Sequence, residues 1–595
     1  MKRWVLLGLV GGLVACNKDS VEAQACPGTA EGWLQQGAGL SGETAGDGLE
    51  EVLITYKPRV SASAMNEKAR EDVLASAATR AGAQVKHRFP RLNMVSARVT
   101  AAAREALARD PDVAFVEENR VVRAMGMPRL PASVWLGGAP NSSGSVGEYT
   151  PGLQMVQAPS VWDANSDGVL DTGAGSGTGI KVCVIDSGLD YTHPELKDAY
   201  IGGKDFIDND DDPKDESLDV DLNPIRGGGH GTHTAGTIAA QLGGGGTVRQ
   251  GTDPNGVAGV APTASLLIAR VLDVRGNGRT DDVIRAIEWC TAQGANIASL
   301  SLGAERESAN ERLAFQQAAQ AGVLSFAATG NSGADKVSYP AAYPTVIAVG
   351  AVDFAGEWAS FSQFGDQVSL VAPGVSVLSA TLRGAAPFAG VSAQGTEIIA
   401  SPLEYSGIGK YTGRLVNCGL GDSIEACGGD ATCSGFVAVV ERGGGIFFEE
   451  KARNSIRAGA RAVIVVNNDA EDGAGNFTLT SPSANWVPTA SVALDSGGAL
   501  RSLIGREVTV DVSGSDYLIQ SGTSMATPHA AGVAALVWSA RRDLTAAQVR
   551  QALEKSAKDL GPALKDAKYG HGLVQAADAI KYANDTWPRP PAPLP

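Results

Sequence analysis

Apolar residues recur along this chain in two rhythms. Ile180 to Ile185 is a mostly apolar run of strand length, the pattern of a strand buried on both faces. Asp281 to Gln293 follows a helical pattern, Asn296 to Leu302 a strand, and Glu311 to Ala321 a helix. Val323 to Ala328 and Val346 to Val349 are further strands. Met525, Ala530, Val533, Leu536 and Val537 then lie at helical spacing, and Thr545 to Ser556 is amphipathic. This alternation predicts an α/β unit, a parallel sheet covered by helices on both faces. Residues 51–123 read differently. Strands are expected at Leu53 to Tyr56, Asn93 to Val99 and Val113 to Glu118, with helices at Asn66 to Ala81 and Ala101 to Arg109. That is a small α+β unit. The runs Gly435 to Gly443 and Ala458 to Asn468, rich in glycine and valine, fit a small β-rich module.

At 595 residues the chain is too long for one core. Its start, Met1-Lys2-Arg3 followed by apolar residues from Trp4 to Ala15, is too short for a membrane span and reads as a signal-peptide core. Residues 125–148, rich in Pro, Gly and Ser, read as an exposed linker, and the end from Trp587 as an extended proline-rich tail. The net charge of −16 makes nucleic acid and anionic membranes poor partners.

The chemistry concentrates at Gly522-Thr523-Ser524-Met525-Ala526-Thr527-Pro528-His529. A serine at a helix start has an unpaired backbone N–H and the positive end of the helix dipole beside it. This suits a nucleophile whose reaction builds negative charge, although Thr523 or Ser524 could equally cap the helix. Of six histidines, His230 and His233 open a small-residue helix in Gly229 to Gly236. A zinc site is the weaker reading of that pair, because no Glu follows at the needed spacing. Asp186 follows the strand Ile180 to Ile185, at the strand end where sites in open α/β sheets lie.

The segments VIDSG, HGTHTAGT and GTSMATPHAAG resemble the three signature motifs of the subtilases, the subtilisin-like serine peptidases. The resemblance implies that Asp186 orients the imidazole, His230 is general base then acid, and Ser524 attacks the scissile carbonyl. His233 would be structural. Ala327-Ala328-Thr329-Gly330-Asn331 resembles the oxyanion-hole segment, so Asn331 and the Ser524 N–H would stabilise the oxyanion. Substrate would lie as a strand between Gly276-Asn277-Gly278 and Ser301-Leu302-Gly303, with Ala328 and Ser338 at the primary pocket. Neither pocket residue is charged, which predicts cleavage after uncharged, large apolar residues.

The same resemblance implies a subtilisin-like three-layer α/β/α parallel sheet, an α+β propeptide acting as inhibitor, and a β-rich inserted protease-associated (PA) domain that gates or recruits substrate. The expected division is a signal peptide at 1–15, a linker at 16–50, the propeptide at 51–123 and a second linker at 124–148. The catalytic domain would occupy 149–381 and 515–580 around the insert at 382–514, with the tail at 581–595. Cleavage between Asn119 and Glu148 would release a monomeric, exported endopeptidase. Leu13-Val14-Ala15-Cys16 resembles a lipobox, which would make Cys16 a lipidated, surface-anchored N-terminus.

Structural Ca²⁺ is expected at three places. Asp205, Asp208, Asp210 and Asp212 resemble a calcium loop of thermophilic subtilases, since alternating carboxylates suit a hard cation. Asp163, Asn165, Asp167 and Asp171 follow the first nine positions of an EF-hand-like loop, with Gly168 at the sixth and Ala174 at the twelfth. Glu195 and Asp253 align with the family's strong site, Glu195 standing where an Asp is expected. Cys183 and Cys290 read as small core residues. One disulfide is expected among Cys418, Cys427 and Cys433, and Cys26 has no assignment.

Overall fold

A computed structural model describes residues 48–57, 67–125, 148–217, 229–243, 256–428, 435–469, 474, 477–479 and 486–589. The leader with Cys16 and Cys26, the segment 126–147, Asp253, Cys433 and the tail from 590 lie outside them.

The N-terminal unit contains β1 (Glu50–Tyr56), α1 (Glu67–Arg80), β2 (Gln84–Phe89), β3 (Met94–Val99), α2 (Ala101–Arg109) and β4 (Val113–Glu118). Its four strands form an antiparallel sheet in the order β2-β3-β1-β4. Alternation sorts β1 between two layers. Val52, Ile54 and Tyr56 pack under α1 and α2, while Leu53 joins Phe89, Leu92 and Met94 in the core of the α/β unit. One strand was not expected from sequence. β2 reads Gln-Val-Lys-His-Arg-Phe, and its mostly polar, half-exposed face gave no apolar signal. A further strand, β5 (Val121–Ala124), leaves this sheet altogether and joins the catalytic unit.

The central sheet has seven strands, all paired in parallel. They are β6 (Lys181–Asp186), β7 (Tyr200–Asp205), β8 (Ser265–Arg270), β10 (Ile297–Leu300), β12 (Leu324–Ala328), β13 (Val346–Val352) and β14 (Val368–Pro373), in the order β14-β13-β12-β10-β6-β8-β7. Short β9 (Asn277–Arg279) and β11 (Leu302–Gly303) stand outside it. Helix α3 (His230–Ala239) covers one face, and α4 (Thr280–Ala292) and α5 (Ala309–Gln320) the other. The order reverses direction between β6 and β10, and a crevice opens at the strand ends there.

β15 (Val377–Ala380) leads into the insert, where β16 (Ala386–Ala393), β17 (Thr396–Pro402), β18 (Gly409–Asn417), β19 (Phe436–Glu441), β20 (Ala460–Val466), β21 (Thr489–Val492) and β22 (Glu507–Ser515) close a barrel. The barrel encloses its own core, including Val391, Leu415, Val437, Ile464 and Val510. Helices α6 (Phe448–Arg457) and α7 (Leu494–Ser502) accompany it. The chain returns through β23 (Tyr517–Gln520), which pairs antiparallel with β15. Entry and exit of the insert are therefore neighbouring strands.

Helix α8 (Thr523–Ala540) follows, buried on every side from Thr523 to Trp538, and then α9 (Ala546–Ser556) and α10 (Ala576–Thr586). α10 continues past residue 580, where the sequence placed the end of the catalytic domain.

The cysteines correct the sequence reading. Cys183 on β6 and Cys290 on α4 are not separate core residues but a disulfide, with Cα atoms 5.9 Å apart. Nothing in either local segment signals a partner 107 residues away. In the insert, Cys418 pairs with Cys427. Because the Cys183–Cys290 link closes a long loop, replacing both residues with alanine is expected to cost about 2–5 kcal/mol. A lowered thermal-inactivation midpoint would report it; an unchanged midpoint would show that packing alone holds β6 to α4.

Candidate active site

Side chains along β6 alternate between the two layers. Val182 and Val184 lie in the core containing α3 and α8, whereas Cys183 and Ile185 lie in the core containing α4. By the same alternation Asp186, at the strand's end, faces α3 and α8. Its Oδ1 lies 2.7 Å from His230 Nδ1, at the start of α3. A carboxylate can only accept, so Nδ1 carries the proton and Nε2 is left as the basic nitrogen. That Nε2 is buried and has no hydrogen-bond partner. Burial alone would push the imidazole down. The Asp186 charge and hydrogen bond, with the Asp215 charge behind them, outweigh it and hold the imidazole above its ordinary pKa. The next histidine, His233, lies within 3.1 Å of Val377 O and 3.0 Å of Leu518 O, bridging β15 and β23. Burial pushes it down to about 3, so it stays neutral.

Ser524 sits in the first turn of α8. Two residues set its surroundings. Pro528 has no N–H, so the carbonyl four residues back, that of Ser524, loses its helical donor. Ser301 Oγ takes that place, donating at 2.8 Å. Ser524 Oγ in turn lies 3.2 Å from Ser301 O. The proline in GTSMATP thus frees a carbonyl that fastens the nucleophile's turn to the segment after β10. Gly374 lets this turn approach β14 closely, since a Cβ there would stand 2.8 Å from Gly522 O and 2.6 Å from Ala351 Cβ. Beyond the proline, His529 Nδ1 lies 2.7 Å from Met525 O, and burial pushes this histidine down to about 4.

Asn331 follows β12. Its Oδ1 accepts from Thr523 N (2.8 Å) and Thr523 Oγ1 (2.9 Å), which fixes the amide with Nδ2 aimed into the crevice. Nδ2 donates to the carbonyl of Met125 at 3.3 Å, and Ser524 Oγ is 3.5 Å from the same oxygen.

Met125 is there because β5 fills the groove. β5 pairs antiparallel with β9 on one side and β11 on the other. Ala124 N donates to Gly276 O (2.8 Å) and Met125 N to Ser301 O (3.3 Å). Both flanking segments predicted to hold substrate therefore hold the chain's own strand. The groove's own backbone leaves two of their glycines no room for a side chain. A Cβ on Gly278 would collide with Val271 O, and one on Gly303 would meet Tyr339 O at 2.7 Å. The bound strand lies against them too. A Cβ on Gly278 would stand 3.2 Å from Val122 Cγ2, one on Gly276 3.2 Å from Ala124 Cβ, and one on Gly303 would collide with Met125 Cε. Ser338 lines the same corner and touches Gln363, while Ala328 is fully buried. Sequence reasoning missed Gln363, whose contacts span loops distant in the chain.

Two residues just before β5 seat the N-terminal unit. The Glu117 carboxylate accepts from Ser308 Oγ, Ala309 N, Asn310 N and Asn310 Nδ2, capping α5 from outside. Asn119 exchanges hydrogen bonds with Asp281 at the start of α4. Among the described residues one His/Asp cluster has metal-like spacing, His87 with Asp281 and Asp282. Arg285 lies against His87 and Asp282, and Lys86 lies 3.9 Å from Asp281, so positive charge already compensates it.

The three expected calcium places differ. In the acidic loop, Arg270 takes Asp205 (2.6 Å) and Asp208 (3.0 Å). Asp210 accepts from Asp212 N, and Asp212 from Tyr191 OH. These carboxylates meet protein donors, and each keeps acceptor sites beyond those bonds. A buried arginine 65 residues from Asp205 left no mark on the loop's own sequence. The EF-hand-like loop is likewise hydrogen-bonded internally. Asp163 accepts from Tyr149 OH, Asp167 N and Gly168 N, Asn165 bonds Asp167, and Asp171 accepts from Ala164 N. These bonds order the loop, and the oxygens of Asp163, Asn165, Asp167 and Asp171 keep acceptor sites beyond them. Glu195 is different. Oε1 accepts from Tyr517 OH and Val257 N, but the buried Oε2 has no partner. Burial pushes the carboxyl up to about 7, with the Glu148 charge adding to it. Glu148, itself raised by burial, was not singled out from sequence.

Residues 177–403 and 434–572 match the Subtilase family, and residues 52–125 match Peptidase inhibitor I9. The chain is 39% identical over 253 residues to an intracellular serine protease of Paenibacillus polymyxa, spanning 42% of this chain and 69% of that protein. It is 32% identical over 351 residues to Subtilisin E of Bacillus subtilis, spanning 58% of this chain and 77% of that one. Fervidolysin from Fervidobacterium pennivorans shares the fold, with a TM-score of 0.54 at 21% identity over 90% of this chain and 61% of that chain. The chain belongs to the subtilase family of serine endopeptidases and carries an I9-type inhibitor domain ahead of its catalytic domain.

Proposed function

We propose that this subtilase is an exported zymogen that cuts itself between Met125 and Gly126 and then hydrolyses proteins after uncharged, large apolar residues. The observation that carries the reading is the Met125 carbonyl, held by Asn331 Nδ2 within reach of Ser524 Oγ at the end of a strand paired on both sides. This is the geometry of a peptide bond presented for attack.

In the proposed mechanism His230 Nε2 takes the Ser524 proton as Oγ attacks the carbonyl carbon. Asn331 and the Ser524 N–H stabilise the oxyanion. Asp186 keeps the imidazole in the right tautomer and stabilises the imidazolium. The imidazolium then protonates the leaving amine, and water hydrolyses the acyl-enzyme by the reverse roles. After cleavage the N-terminal unit remains as an inhibitor, held by β5 and by the Glu117 and Asn119 caps. The leader and Cys16 support export with a lipid anchor on the precursor. The inserted barrel is read as a PA domain that recruits or gates substrate. Glu195, with Glu148 beside it, would hold a structural Ca²⁺ that neutralises the buried carboxylates.

Three outcomes test this. The wild-type chain should yield a mature N-terminus at Gly126 by mass spectrometry, while Ser524→Ala stays uncut; a mature chain beginning elsewhere sinks the assignment. In a fluorogenic panel, peptides with Met, Leu or Phe before the cut should lead, and exclusive cleavage after Lys, Arg or Asp would overturn the preference. For calcium the sign follows from Glu195. A carboxyl raised to about 7 in the fold and ordinary when unfolded costs stability as pH rises above its ordinary value toward 7. Chelated enzyme should lose thermal stability over that window, and added Ca²⁺ should restore it. Glu195→Gln should remove both effects; if the protection survives in that variant, the ion binds elsewhere.

A further inference from the structure

Helix α3 carries the catalytic histidine at its first position, yet its N-cap cannot supply a cap. That residue is Gly229, at φ +88°, and a Cβ there would stand 2.6 Å from Thr381 Oγ1 and 2.9 Å from Leu382 N. The first-turn N–H groups of α3 are satisfied from outside instead. Ser217 Oγ accepts from Gly229 N (2.6 Å) and His230 N (3.2 Å). Ser187 Oγ accepts from Gly231 N (2.9 Å), and Asp215 Oδ2 from Thr232 N (2.9 Å).

Asp215 is the member that joins the others. It is 2% exposed. Oδ1 accepts from Ser187 Oγ (3.1 Å) and Ser217 N (3.1 Å), and Oδ2 also accepts from Thr232 Oγ1 (2.7 Å). Two further bonds fix the hydroxyl protons. Gly231 N donates to Ser187 Oγ and Asp190 N donates to Thr232 Oγ1, so each hydroxyl turns its own proton toward Asp215. Four donors converge on one carboxylate. Burial pushes the Asp215 carboxyl above its ordinary pKa, while the donated hydrogen bonds, none from a group placed to accept a carboxyl proton, favour the anion. One buried negative charge thus holds Ser187, next to Asp186, and Thr232, two residues after His230, at the positive end of the histidine's helix.

We propose that Asp215 is a positioning residue for the proton-transfer step: it locks the Asp186 and His230 segments in register and adds a second negative charge behind the imidazolium. The charged groups acting on the imidazole are Asp186 from β6 and Asp215 from the loop before α3. His233, one turn along the same helix, is held neutral by burial. Asp190 faces the other way, accepting from Thr192 and Arg383 N–H groups.

The test compares mature wild-type enzyme with Asp215→Asn and Asp215→Glu, active sites counted by fluorophosphonate titration. Asp215→Asn aims an amide N–H at donors and removes the charge. Its kcat should fall about tenfold or more with KM for a peptide substrate within about twofold, since the lost interaction acts in the transition state. The acid limb of its kcat/KM profile should move to lower pH by about half a unit or more, because the imidazolium loses a stabilising charge. Asp215→Glu should return the acid limb toward wild type. If Asp215→Asn does not mature, the His230 imidazole is titrated by NMR in uncut chains carrying Ser524→Ala with and without it. A midpoint lowered in the double variant supports the proposal. An unshifted acid limb, or an unshifted imidazole midpoint, overturns it.

Discussion

The two-layer burial of β6 sets the geometry on which the rest of the site depends. A strand packed on both faces must send successive side chains into different cores, and Asp186 falls on the side where α3 and α8 lie. Had the register been shifted by one residue, the carboxylate would point toward α4 and no histidine would meet it. The Cys183–Cys290 link lies on the opposite side of the same strand and fastens it to α4. The proline of the nucleophile's motif then ties α8 to the segment after β10 through Ser301 and the freed Ser524 carbonyl. Three elements far apart in sequence converge because strand alternation sets their directions and a few side chains, Cys183, Cys290, Ser301 and Pro528, fasten them.

Occupation of the groove by β5 follows from hydrogen bonding more than from side chains. A strand of four residues gains two partners by inserting between β9 and β11, and neither partner would otherwise be paired there. The N-terminal sheet brings β5 to this place by docking on α4 and α5, whose N-terminal amides donate to Asn119 and Glu117. Carboxylates at helix N-termini are stabilised by both hydrogen bonds and the dipole. The inhibitor's grip is therefore divided between the groove and the two helix ends. Cutting after Met125 would leave both sets of contacts in place.

Much of this was legible in the sequence because chemistry at Asp186, His230, Asn331 and Ser524 needs short contiguous runs of small residues around each group. Strands β4 and β6 and helix α2 were legible for the same reason, as local patterns long enough to read. What was not legible is pairwise. Arg270 reaches across to Asp205 and Asp208 of the acidic loop, Cys290 finds Cys183 across the sheet, and Asp215 reads locally as one more acid in a charged stretch. β5 escaped notice because its partners belong to another domain. Each of these depends on residues brought together only by the fold.

The root of the insert bears on how the barrel can act. His233 bonds the carbonyls of both β15 and β23, so the two strands carrying the barrel are held by the helix that begins with His230. Ser379 Oγ adds a bond to His233 O, and His193 Nε2 lies 3.1 Å from Asp516 O. Tyr517 donates to Glu195, and Gly229 packs against Thr381 and Leu382 with no room for a side chain. A barrel swinging about this root would have to break these buried hydrogen bonds, at about 1–3 kcal/mol for each group left unpaired. A fixed barrel costs nothing of the kind. If the insert controls access to Ser524, it does so by where its surface stands rather than by hinging at β15 and β23.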